Sequence, residues 1–167
     1  MPAATCGAFR DHGRARFQLV IRVAVTLPAV IADAGEFLAD AAALDAAGAD
    51  AIFVGGGSAD PAVVLGAIAA VTRRVRLGSE GGDQALTQRS IETLRAVSRG
   101  RVAAAAADGE RWVKVGVPPD RASWAALLHE HEAAGATGIV VPWDPRLIDL
   151  LRNPEPDDRS DLLMSTG

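Results

Sequence analysis

Three consecutive glycines, Gly55, Gly56 and Gly57, follow the apolar run 51–54, and Gly81 and Gly82 follow the strand-like segment 75–78. Lacking a Cβ, such positions let the backbone come close to a flat ligand. Trp143, just past the last apolar run, is a residue type that can wall the other side of such a ring, and Thr26 and Ser79 place hydroxyls near strand ends. Glu80 and Asp83 flank the second glycine pair, where a carboxylate could meet a ring nitrogen or a substrate proton. Each of these residues has a plainer reading. The glycines make tight turns, Trp143 serves a core or an interface, and Glu80 and Asp83 are solvated or cap the next helix.

Other chemistries find less support. His129 and His131 are two apart on a helical segment and point to nearly opposite sides, whereas helical metal pairs need a spacing of three or four, so no metal site is expected. His12 lies in a charged arm, and Cys6, the only cysteine, has no evident base beside it, which removes an intramolecular disulfide and a multi-cysteine metal site. The glycine run lacks a following Lys-Ser/Thr and lacks Gly-x-Gly-x-x-Gly spacing, so neither a nucleoside-triphosphate loop nor a dinucleotide fingerprint is present.

The elements that would position these residues alternate short β-branched runs with longer Ala/Leu-periodic segments, the pattern of βα units. The first strand is expected over 19–26. A helix over 34–47 carries Phe37, Leu38, Ala41, Leu44 and Ala47 on one stripe and ends at Gly48. The run 51–54 suits a buried strand, and Ser58 or Asp60 can cap a helix that begins near Pro61 and ends at Arg73 and Arg74. Further strands are expected at 75–78, 101–107, 112–117 and 138–141, and further helices at 87–97, 120–134 and 145–151. Only 108–111 separate the fourth and fifth strands, too few residues for a crossover helix, and Asp108-Gly109 is a hairpin-type turn, so that pair is expected to be antiparallel. The expected fold is α/β, a partial or reduced TIM-like (β/α) barrel of about six strands and five helices. A complete eight-unit barrel takes about 250 residues, with about 200 as a floor.

The chain's 167 residues are expected to form one domain over 18–152, between an N-terminal arm at 1–17 and a surface tail at 153–167. With 49% hydrophobic and 23% charged residues the composition is that of a globular protein with a sizeable core. Seventeen basic against twenty-one acidic residues give a net charge of −4, the wrong sign for a nucleic-acid partner. Arg10, Arg14 and Arg16 before the apolar stretch 17–32 imitate a signal peptide. Asp11 among them and Arg22 inside the stretch favour a core strand instead. No run approaches the length of a membrane span, so a cytoplasmic protein with no membrane partner is expected.

The stretches DAAALDAAGADAIFVGGG (40–57), SADPAVVLGAIAAVTRRVRLGS (58–79) and IETLRAVSRGRV (91–102) resemble the bacterial-luciferase-like flavin-dependent oxidoreductases. In that family a helix ending in Ala-Gly feeds a strand, Asp-Pro opens a helix that finishes in Thr-x-x-(Ile/Val)-Arg-Leu-Gly, and a Ser-x-Gly-Arg-Val segment leads into strand four. Asp60-Pro61, the segment 72–78 and the segment 94–102 carry these features here. The segment 113–141 resembles the family's last βα units, and the likeness spans roughly two thirds of the chain. The family's long middle section, which supplies much of the cofactor phosphate grip and part of the substrate pocket, is missing. The resemblance implies an oxidoreductase of monooxygenase type that uses reduced flavin (FMN) or the deazaflavin F420 on a small organic substrate, and a homodimer formed through the early helices at 34–47 and 61–71. Cofactor contacts are then expected at Thr26, Gly55, Gly56, Gly57, Ser79, Glu80, Gly81 and Trp143, with no catalytic residue assigned. A non-catalytic flavin- or small-ligand-binding relative and an unrelated small βα phosphate-binding enzyme remain as alternatives.

Overall fold

The computed structural model describes residues 21–57, 59–80, 86–102 and 110–153. The arm expected at 1–17, almost all of the tail expected at 153–167, and Ser58, Gly81, Gly82 and Asp83 lie outside the described residues. Five strands and five helices follow one another as β1 (Arg22–Pro28), α1 (Ala34–Ala47), β2 (Ala51–Gly55), α2 (Pro61–Val71), β3 (Arg76–Ser79), α3 (Gln88–Val97), β4 (Trp112–Lys114), α4 (Arg121–Ala133), β5 (Gly138–Pro142) and α5 (Leu147–Arg152).

Local chemistry fixes the helix ends. Asp33, Asp60, Thr87 and Asp120 each sit in extended backbone just before a helix and accept a hydrogen bond from a first-turn N–H, which satisfies a donor the helix itself cannot pair. Of the two expected caps of α2, Asp60 is the one that acts, with Pro61 in its first turn. Gly48 ends α1 at φ 99°, a left-handed conformation suited to glycine. Arg73 and Arg74 lie beyond the Thr72 cap rather than in the last turn of α2. Their N–H groups, with that of Val75, donate to the buried carboxylate of Asp45 on α1, and these bonds set the turn into β3.

All strand pairs are parallel, in the order β3-β2-β1-β5-β4. Two sequence expectations fall only partly on the described residues. Of the strand expected at 101–107, residues 103–107 lie outside the described residues, and Val102 makes a parallel bridge to Leu77; among the described residues the sheet has five strands. Among the described residues no pairing joins the fourth and fifth runs. Val102 lies beside β3, whereas Trp112–Lys114 pairs in parallel with β5 at the opposite end of the sheet. Trp112 stands against Gly138, where a Cβ would collide with the indole ring, and Val113 and Val115 pack against the helix-side core.

The sheet has two unlike faces. Val23, Val25, Leu27, Ile52, Val54, Leu77, Ile139 and Val141 alternate onto the face covered by helices and form the main core with Leu44, Leu65, Ile68 and Trp124. The opposite face carries Ala24, Ala51, Phe53 and Val140, with Trp112 packed against them. A flat sheet would hold β3 and β4 roughly 19 Å apart, four steps of about 4.8 Å. Yet Lys114 Nζ on β4 lies 2.8 Å from Glu80 Oε1 at the end of β3, and the Phe53 and Trp112 rings meet edge to face with centroids 5.9 Å apart. The sheet is therefore curled, and its two ends meet through side chains across the inner face.

Candidate functional site

Parallel βα units turn their loops and most helix N-termini toward the C-terminal ends of the strands, and the candidate site lies there, at the mouth of the curled inner face. Thr26 of β1 is in register with Phe53 of β2 and Pro142 of β5, which puts all three on that face. Glu80 continues β3, its N–H donating to Val54 O at 3.0 Å. Its side chain lies over Gly55, where a Cβ would fall on the carboxylate, so the glycine at 55 makes room for Glu80. Lys114 closes the opposite side.

Three adjoining cavities share Glu80. One of about 260 Å³ is lined by Thr26, Glu80, Lys114, Val115, Val140, Val141 and Pro142. A smaller one of about 130 Å³ lies deeper among Phe53, Ser79, Trp112 and Lys114. The third, about 220 Å³, runs beside Gly55, Gly56, Gly57, Ser79 and Pro61. In the first, Thr26 Oγ1 is sealed from solvent and has no hydrogen-bond partner among the described residues, a state that costs free energy until something supplies one.

Beneath the mouth, Glu110 ties the two ends of the sheet together. It accepts from Arg22 of β1 at 2.7 Å, from Arg76 of β3 at 3.0 Å and from the Trp112 indole N–H at 3.0 Å. Arg22 also lies over the Trp112 ring, 5.5 Å from its centroid. Burial pushes the Glu110 carboxyl up, but the hydrogen bonds from Trp112, Arg76 and Arg22 together outweigh it and hold the group down at about 2.

Of the residues expected from sequence, Thr26, Gly55, Gly56, Gly57, Ser79 and Glu80 gather at these cavities, and Gly81 lies outside the described residues. Trp143 is placed elsewhere. It packs against the helix-side core, and only its N–H returns to the sheet, donating to Thr26 O at 2.9 Å, so the indole that faces the inner surface is that of Trp112. Gly56 has φ 54° and open space around its Cα, while at Gly57 a Cβ would collide with the Ala29 backbone, so both act as turn glycines as well as cavity walls. Sequence reading passed over Lys114 and Trp112, and placed Glu110 only in a loop of the ligand face, whereas it lies beneath the mouth beside Arg22 and Arg76. The period-2 spacing of Glu110, Trp112 and Lys114 gave a signal of one shared face, but not of what lay across from it.

Elsewhere, a larger cleft of about 510 Å³ lies between the start of α4 and α5, lined by Asp120, Arg121, Arg146 and Asp149. Its charged groups are engaged with one another and with backbone: Arg121 pairs with Asp149 at 2.9 Å, Arg146 with Asp144 at 2.8 Å, and Asp120 caps α4. His129 is exposed and His131 half-buried on α4, and among the described residues no group of three or more His, Cys, Asp or Glu could hold a metal ion. No helix among the described residues is long and apolar enough to cross a membrane.

No protein-family model, no curated protein and no solved structure matches the chain.

Proposed function

We propose that the chain is a shortened luciferase-like oxidoreductase of the monooxygenase type, cytoplasmic and dimeric, that takes the ring of reduced FMN or F420 and a small organic substrate at the mouth of its inner face. The strand order is the observation that carries this reading. β2, β3 and Val102 follow β1 on one side, and β5 and β4 flank it on the other. This order is what remains when middle units are taken out of a TIM-like (β/α) barrel, and the break falls between Val102 and Trp112, where the family resemblance has its missing section.

The mouth suits a ring better than a phosphate chain. Glu80 and Lys114 offer an acceptor and a donor, Thr26 Oγ1 lacks a partner among the described residues, and Val115, Val140 and Pro142 give an apolar wall. The reduced ring, when bound, would supply the electron pair of the reaction. The chain's own part is to hold the polar edge of the ring and keep water from it, with Lys114 Nζ and Glu80 Oε1 side by side at the mouth. The phosphate-binding alternative loses ground because Asp60 Oδ1 already accepts from Ala62 N at 2.8 Å and Val63 N at 3.4 Å, occupying the N-terminus an anion would need.

One observation favours a binding protein without catalysis. Phe53, Trp112 and the Arg22–Glu110–Arg76 group fill the inner face below the mouth, which leaves a deep cavity of only about 130 Å³ for a substrate. Equilibrium titration with FMN and with F420 tests the shared part of both readings. Binding with a dissociation constant of micromolar or weaker, about −8 kcal/mol at best, is expected; no binding of either sinks both readings. Stopped-flow reoxidation of reduced FMN then separates them, since a catalyst alters the rate and an inert binder does not.

A further inference from the structure

We propose that Lys114, Glu80 and Thr26 read the imide edge of a flat heterocycle, the carbonyl, N–H and carbonyl sequence that flavins and deazaflavins share. The inference rests on the ring-binding reading above and assigns which edge of the ring enters. Around the cavity of about 260 Å³ stand a cation, a carboxylate and a hydroxyl against an apolar wall. Lys114 carries three N–H donors on a side chain that is 75% exposed, and a single one meets Glu80 at 2.8 Å. Glu80 is an acceptor only, and Lys114 is its one side-chain partner among the described residues. Thr26 Oγ1 has a hydrogen to give and, among the described residues, no acceptor to give it to.

An imide edge offers acceptor, donor and acceptor in a row. Lys114 donates to one carbonyl, Glu80 accepts from the central N–H, and Thr26 donates to the other carbonyl. The ligand enters by loosening the Lys114–Glu80 pair and replaces one charge-assisted hydrogen bond with several, so that neither charge is left unpaired. A carboxylate or phosphate in the same place would face Glu80, and an amine would face Lys114. A neutral edge with both kinds of group satisfies the two together, and discrimination follows from the misfit of the others. The arrangement belongs to this chain's short curled sheet, because Glu80 and Lys114 come from its opposite ends.

Lumiflavin, which has the ring without a phosphate chain, and its N3-methyl derivative test the assignment when titrated against the full chain by quenching of ligand fluorescence. N3-methylation is expected to weaken binding roughly tenfold or more, because it removes the donor that Glu80 accepts from. Thr26→Val, nearly isosteric, is expected to weaken lumiflavin severalfold with an unchanged melting temperature. Equal affinity for the two ligands overturns the inference and leaves ring binding intact. Wild-type affinity of Thr26→Val removes the hydroxyl from it. If none of lumiflavin, FMN and F420 binds, the inference falls together with the reading it rests on.

Discussion

A carboxylate as covered as Glu110, with 14% of its side chain exposed, would ordinarily hold its proton more tightly than in water, yet three donors reverse that direction and take it from 4.5 to about 2. A depressed carboxyl stabilises the fold fully above its unfolded value near 4.5, and the contribution is lost as pH falls through about 2. A shift of this size corresponds to no more than about 3 kcal/mol. Glu110→Gln should therefore lower the denaturant midpoint at pH 7 and flatten the fall in stability between pH 5 and pH 2 that the wild type shows. Parallel acid slopes for the two proteins would contradict this account. Asp45 acts by a different route. Burial raises its pKa, but backbone hydrogen bonds from Arg73, Val75 and Arg74 bring it below the ordinary value. Asp45→Ala strands three backbone donors at the turn into β3 and should cost about 2 to 4 kcal/mol in chemical denaturation, with ring affinity unchanged because Asp45 lies at the opposite end of β3 from Glu80.

At the scale of elements, the loop after β2 separates two glycines that look alike in sequence. Gly56 needs φ 54° and has no atom within 4 Å of where a Cβ would stand, so Gly56→Ala should cost only the strain of a left-handed residue, about 1 to 2 kcal/mol. Gly57 has ordinary φ, but its Cβ would enter the Ala29 backbone, which is held by hydrogen bonds to Gly55 O and from Ala59 N. Gly57→Ala should therefore lower the melting temperature more than Gly56→Ala does, an order that thermal unfolding of the two variants checks directly. All five helices were legible in sequence, because caps such as Asp60-Pro61 and stops such as Gly48 are local chemistry. The middle strands were legible too, as short apolar runs. Pairing was not. The Asp108-Gly109 turn signal is local, whereas the seat of Trp112 over Gly138 and the meeting of Lys114 with Glu80 depend on how far the sheet curls, which no spacing along the chain encodes.

On the scale of the whole molecule, α2 is almost wholly apolar and leaves Val63 71% exposed at its start, and Val97 at the end of α3 is 56% exposed. A second copy packed along α1 and α2 would cover the first of these, the arrangement behind the proposed dimer. Light scattering at micromolar concentration should give twice the chain mass, and Val63→Glu should return the monomer; a monomeric wild type removes the dimer.

The same view of the whole molecule bears on how a cofactor's phosphate would fare. Helices α1, α2 and α4 begin near the mouth end of the sheet, and each N-terminus is already occupied by its own carboxylate: Asp33 on Glu36 N, Asp60 on Ala62 N, and Asp120 on Ser123 N. Those N–H groups are the donors that anion sites in βα folds use, and here each has an aspartate before it. These helix ends thus add negative charge around a mouth where Lys114 is paired with Glu80, in a chain of net charge −4. A phosphate carried on the ring's side chain would meet no free helix end among these three and would be repelled at short range. Riboflavin, which lacks the phosphate, should consequently bind at least as tightly as FMN, the reverse of what a phosphate grip produces. Screening shrinks a repulsion between exposed charges as the Debye length falls from about 10 Å at 0.1 M to about 3 Å at 1 M salt, so the FMN constant should approach the riboflavin constant as salt is raised. Isothermal titration of both ligands at the two ionic strengths reads this out. FMN binding tenfold tighter than riboflavin at low salt would mean that a cationic grip exists which the aspartate-capped helix ends do not provide.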